Sequence, residues 1–89
     1  MFEDATIIRA IAKEQERIKA QQGRDDWVWL ETIVKITGLG YYIVRRHVLK
    51  LVRNGLVETR REPFPGKKKP FLLRLTARGW EAASSLRRS

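Results

Sequence analysis

Ile33-Val34-Lys35-Ile36-Thr37-Gly38-Leu39-Gly40-Tyr41-Tyr42-Ile43-Val44-Arg45-Arg46-His47-Val48-Leu49-Lys50-Leu51-Val52-Arg53-Asn54-Gly55-Leu56-Val57-Glu58 is the stretch that decides the fold. Its first residues belong to a short helix, Leu30 to Ile36, in which Leu30, Ile33, Val34 and Ile36 are apolar. Thr37-Gly38-Leu39-Gly40 then breaks that helix, because glycines this close together favour a turn. A longer helix runs from Tyr41 to about Arg53. Val44, Val48, Leu51 and Val52 recur at the helical period and mark its inward side. Asn54-Gly55 ends it, since glycine readily takes the left-handed backbone that follows a helix. Two short helices joined by a glycine-containing turn make a helix-turn-helix.

Downstream, Leu56 to Glu62 and Phe71 to Leu75 are short β-prone runs. They flank Pro63-Phe64-Pro65-Gly66-Lys67-Lys68-Lys69-Pro70, so they read as a hairpin with a long tip. Phe71, Leu73 and Leu75 alternate with Leu72 and Arg74, which gives one apolar face. Thr76 is placed to cap a last helix, Ala77 to about Arg87, whose inward stripe includes Trp80, Ala83 and Leu86. Upstream, residues 4–22 read as a helix with Ile7, Ile8, Ile11, Gln15 and Ile18 along one stripe. Glu3 and Asp4 complement its dipole, and Gly23 is placed to end it. Trp27-Val28-Trp29 is either a strand of minimal length or the first turn of the next helix with Asp26 as N-cap. Its aromatic and β-branched content favours the strand. The expected fold is mainly α with a small β-hairpin, in the order α-(β)-α-α-β-β-α, as one domain over residues 1–89.

In this arrangement residues 33–58 resemble the helix-turn-helix of winged-helix transcription regulators of the MarR and PadR type. Those proteins show a short helix, a TGLS-like turn, a recognition helix and then GLV. Leu73-Arg74-Leu75-Thr76-Ala77-Arg78-Gly79 is similar to the LTxxG with which such wings close onto the last helix. The resemblance covers roughly residues 29–82. It implies a winged helix-turn-helix that binds double-stranded DNA, with a recognition helix at about 41–53 and a wing at about 63–70. The sequence departs from the pattern at Gly40, where such turns carry Ser or Thr. The chain also lacks the extra helices that normally form a dimer and a ligand pocket in such proteins, so no small-molecule ligand is expected.

Charge supports a polyanionic partner. The formal net charge is +9, and it is unevenly spread. Residues 1–26 carry six acids and five bases, whereas residues 27–89 carry four acids and fourteen bases. Arg45-Arg46, Arg60-Arg61, Lys67-Lys68-Lys69 and Arg87-Arg88 all fall in the basic part. A field of this sign on a small surface attracts and steers polyanions. Membrane binding would need the bases along one face of an amphipathic helix, and two of the four clusters fall in the hairpin instead. No apolar run is long enough to span a bilayer, and the N-terminus lacks the order of a signal peptide. The chain has no cysteine, which excludes disulfides and thiolate metal sites. A cytoplasmic location is the default expectation.

With the apolar stripe turned inward, Tyr41, Tyr42, Arg45, Arg46, Lys50 and Arg53 occupy other faces of the recognition helix. Arg45 and Arg46 suit base edges, because Arg pairs bidentately with guanine. Tyr41 and Tyr42 suit phosphates or thymine methyls. Lys67, Lys68 and Lys69 suit phosphates beside the minor groove, which position the protein without reading sequence. Arg60, Arg61 and Arg74 lie on the hairpin strands, where at least one should face outward. A single His47 without a second ligand makes no metal site, and packing or a phosphate contact is its expected role. Trp27, Trp29 and Trp80 fill a core or an interface between copies. The Ile7-Ile8-Ile11 stripe either covers the chain's own core or pairs with a second copy, and two-fold operators make a homodimer the natural expectation. No catalytic set, phosphate-binding glycine loop, metal site or cofactor is expected, so the chain is read as a non-enzyme. The first reading is a sequence-specific regulator of archaeal or viral style. The alternatives are a winged-helix interaction module of a replication or transcription complex, and a nonspecific chromatin-like DNA-binding protein.

Overall fold

A computed structural model describes residues 2–22, 26–61 and 71–88. The order is α1 (Phe2–Gln22), β1 (Val28–Trp29), α2 (Leu30–Thr37), α3 (Tyr41–Arg53), β2 (Val57–Arg61), β3 (Phe71–Leu75) and α4 (Ala77–Arg88). The three strands form one antiparallel sheet in the order β1-β3-β2. This is the expected winged helix-turn-helix. Val28-Trp29 takes the strand alternative: Val28 pairs with Leu73 and Trp29 with Leu72.

The turn between α2 and α3 follows from Gly38. Its φ of 72° is the left-handed region, and its N–H donates to the Val34 carbonyl at 3.0 Å. Any side chain there would strain the backbone. Thr37 adds to the closure, donating its hydroxyl to the Ile33 carbonyl at 2.8 Å. Gly40 stands at the N-cap of α3 and offers no side-chain acceptor to the first N–H groups.

The core is the meeting of all seven elements, with Val28 of β1 and Val57 of β2 buried in it as well. Ile7, Ile8 and Ile11 of α1 are buried with Ile33 of α2, Val44, Val48 and Leu51 of α3, Leu73 and Leu75 of β3, and Ala83 of α4. The Ile7-Ile8-Ile11 stripe therefore lies in the chain's own core, the first of its two expected destinations. What α1 leaves in solvent among its described side chains is polar or small: Thr6, Arg9, Lys13, Glu16, Arg17, Lys19, Ala20 and Gln21. Gln15 is 1% exposed and fully used. Its side-chain nitrogen donates to Asp26 at 2.7 Å, and its oxygen accepts from the Leu75 backbone N–H at 2.7 Å. A buried amide with both ends satisfied fixes where α1 sits on β3. Ile36 departs from expectation. It is 50% exposed, in the last turn of α2, while Leu30 and Ile33 of the earlier turns are buried.

The wing closes onto α4 through Thr76 and Gly79. The Thr76 N–H donates to the Leu56 carbonyl at 3.0 Å, and its hydroxyl donates to the Gly55 carbonyl at 2.6 Å. The same hydroxyl accepts from the Gly79 N–H at 3.1 Å, the expected N-cap bond. At Gly79 a Cβ would stand 2.0 Å from the Leu56 carbonyl oxygen. Only glycine fits at that approach. In α4, Ala83 is buried, while Trp80 and Leu86 pack half-buried against the core.

Candidate nucleic-acid interface

α3 turns about 100° per residue, which sorts its side chains. Val44, Val48 and Leu51 face the core. Tyr42, Arg46 and Arg53 fall on the opposite side and are exposed, Tyr42 at 77%. Tyr41 and Arg45 occupy one flank, where Arg45 is half-buried. The two arginines expected to act together are thus distinguished: Arg46 projects outward and Arg45 leans against the domain. Among the described residues no carboxylate pairs with Arg45, Arg46 or Arg53. Their positive charge is open to a polyanion.

The end of α3 next to the turn is apolar as well as basic. The rings of Tyr41 and Tyr42 meet edge to face, with centroids 5.4 Å apart. Ile36, at the end of α2, and Ile43 are also exposed, at 50% and 43%. Ile43 stands off the Val44-Val48-Leu51 stripe of α3, whereas Ile36 reads in the sequence as one of the apolar residues of α2. Apolar groups beside outward cations suit the major groove, where thymine presents a methyl and guanine two acceptors.

The opposite flank is occupied from within the chain. Asp4, in the first turn of α1, bonds both His47 and Lys50. His47 Nδ1 lies 2.6 Å from Asp4 Oδ1, and Lys50 Nζ donates to Oδ2 at 3.2 Å. Burial raises the Asp4 carboxyl pKa, but the hydrogen bonds and charges of His47 and Lys50 outweigh it, so the group sits below the ordinary value of 3.8. His47 is therefore tied to an acid, in place of the packing or phosphate role expected. Lys50, though exposed, already has a carboxylate partner. Nothing in the sequence linked Asp4 to positions 43 and 46 residues away.

On the hairpin, Arg74 is taken up by the sheet. It pairs with its cross-strand neighbour Glu58, lies 3.7 Å from Asp26, and stacks 4.3 Å from the Trp27 ring centroid. Arg60 is exposed and reaches the same ring at 5.9 Å. Trp27 and Trp29 are half-buried on this surface. The wing lysines Lys67, Lys68 and Lys69 lie outside the described residues. The strands that carry them are described up to the Arg61–Phe71 pair. No helix among the described residues is long and apolar enough to cross a membrane.

No protein-family model and no curated protein matches the chain. Solved structures do. A single-residue mutant of S. aureus MepR is 15% identical over 99% of this chain and 56% of its own, with a TM-score of 0.72. BpsR of Bordetella bronchiseptica, whose DNA binding is regulated by 6-hydroxynicotinic acid, is 17% identical over 97% of this chain and 55% of its own, with a TM-score of 0.70. A mutant MarR of E. coli, complexed with operator DNA, is 19% identical over 97% of this chain and 64% of its own, with a TM-score of 0.56. The chain spans about half the length of MepR and BpsR. At these identities the likeness shows the fold.

Proposed function

We propose that the chain is the DNA-binding part of a transcription regulator, with α3 in the major groove and the 63–70 loop on the backbone of double-stranded DNA. One observation carries the reading: the outward side of α3 holds Tyr42, Arg46 and Arg53 exposed, with no described carboxylate against either arginine. A helix kept only for solubility does not need aromatic rings in solvent beside such cations. The reading is supported by neighbours of the same fold, one of them complexed with operator DNA and another with regulated DNA binding. Arg46 takes the base-reading role, Arg45 and Arg53 flank it, Tyr41 and Tyr42 meet thymine methyls or phosphates, and Lys67, Lys68 and Lys69 hold phosphates. A homodimer on a two-fold site is part of the proposal, with its seam away from the buried Ile7-Ile8-Ile11 stripe. Regulation of BpsR by 6-hydroxynicotinic acid leaves the expected absence of a small ligand without support.

The test is selection of bound DNA from a random pool at physiological salt, repeated with Arg46→Ala. The parent should enrich one site by about 10³-fold or more over random DNA. Arg46→Ala should relax preference at one base position per half-site by roughly 1–3 kcal/mol. Uniform weakening on every sequence would mean that Arg46 only grips phosphate, and the packaging alternative would then take over. No duplex binding at all would favour an interaction module. A second measurement isolates the wing. Changing Lys67, Lys68 and Lys69 together to Ala should flatten log K against log salt by about 0.9 for each phosphate no longer neutralised, with sequence preference kept. An unchanged slope would take the wing off the DNA.

A further inference from the structure

The Asp4 cluster joins an acid from the first helix to the helix proposed to enter the groove. α3 contains no acid of its own. The described carboxylate that pairs with its side chains comes from α1, and it meets the two polar groups of a single flank, His47 and Lys50. The geometry is that of a shared partner: one oxygen for the imidazole, the other for the ammonium. The Asp4 side chain is 20% exposed, so core packing of α1 keeps the carboxylate in place. Lys50 has a side chain 53% exposed, long enough to leave for a phosphate if that partner were removed.

We infer that Asp4 acts as an internal competitor for the DNA backbone, holding Lys50 on the protein so that α3 neutralises one phosphate fewer than its cations would allow. The inference rests on the reading of α3 as the groove helix. Asp4 is a positioning residue in this account: it acts through Lys50 and touches no base. Phosphate contacts add affinity to every sequence alike. Withholding one lowers the hold on random and specific DNA together and leaves base preference to Arg46. His47 completes the clamp by occupying the second carboxylate oxygen.

The test compares the parent with Asp4→Asn, Lys50→Ala and the double variant, on the selected site and on a random duplex across a salt series. Asp4→Asn keeps the shape and removes the charge. It should steepen log K against log salt by about 0.9, a further factor of about 3.5 between about 50 and 200 mM salt. The increase should be the same on both duplexes. Lys50→Ala alone should leave the parent slope unchanged, and in the Asp4→Asn background it should cancel the gain. Three results overturn the inference: an unchanged slope in Asp4→Asn, a gain that persists in the double variant, or a slope already reduced by Lys50→Ala alone. The last needs only a surface substitution, so the inference can be overturned even if Asp4→Asn does not fold. A parent that binds neither duplex overturns the DNA-binding reading itself, a result distinct from all three.

Discussion

An Ile11→Glu chain does not fold. Ile11 is 0% exposed among Ile7, Ile8 and the residues α1 covers on α2, α3, β3 and α4. The substitution forfeits about 1.5–3 kcal/mol of apolar burial. It also buries a carboxylate with no cation to receive it, which costs several kcal/mol more. A small domain has a net stability near the lower end of roughly 5–15 kcal/mol, so the sum removes it. Circular dichroism should show that the helical signal is gone without denaturant. Ile11→Ala, a cavity without a charge, should remain folded but be less stable by about 2–5 kcal/mol in urea unfolding. A folded Ile11→Glu monomer, obtained by splitting a parent dimer, would place the stripe in a seam between copies and refute the burial.

Gly79→Ala should destabilise the chain, although alanine is the better helix former by about 1 kcal/mol. The added methyl would stand 2.0 Å from the Leu56 carbonyl oxygen and 3.1 Å from both the Leu56 carbonyl carbon and Leu75 Cβ. The oxygen is backbone and cannot swing aside. It already accepts the Thr76 N–H, so moving it loosens the bond that seats α4 on the wing. Overpacking of this kind costs about 1–3 kcal/mol and sometimes more, and a clash with fixed backbone belongs at the upper end. Urea midpoints should fall for Gly79→Ala, whereas Ser84→Ala, exposed on the same helix, should shift stability by no more than about 0.5 kcal/mol. A Gly79→Ala chain as stable as the parent would mean that α4 does not approach Leu56 so closely.

Local chemistry made most of the fold readable. Val44, Val48 and Leu51 announce their own period, Gly38 and Gly55 stand where positive φ is required, and Thr76 caps the helix that its position suggested. β3 was half readable. Leu73 and Leu75 are buried as their alternation implied, but Leu72 is buried too. It sits on the central strand between Trp29 and Arg60, and burial by neighbouring strands leaves no mark in its own segment. The same reason hid Asp4. Its bonds to His47 and Lys50 depend on how α1 crosses α3, which no local pattern records. The candidate DNA residues were legible as residue types on a helix. Which arginine projects and which lysine is already held required the packing.

Gln15 bonds the backbone of Leu75, 60 residues further along the chain, and this sets an order of events during synthesis. At about 5–20 residues per second, the ribosome makes the second partner roughly 3–12 s after the first. Through that interval α1 exists without β3 or α4 to lie on. Most helical stability in a folded chain comes from packing of the apolar face, and until that interval ends the α1 isoleucines have α2 and α3 but lack the β3 and α4 part of their cover. The helix made first can complete its docking only after the last strand has been delivered. The nascent chain is therefore most prone to aggregation before Leu75 emerges, and a stall within the wing prolongs that period more than a stall in α4.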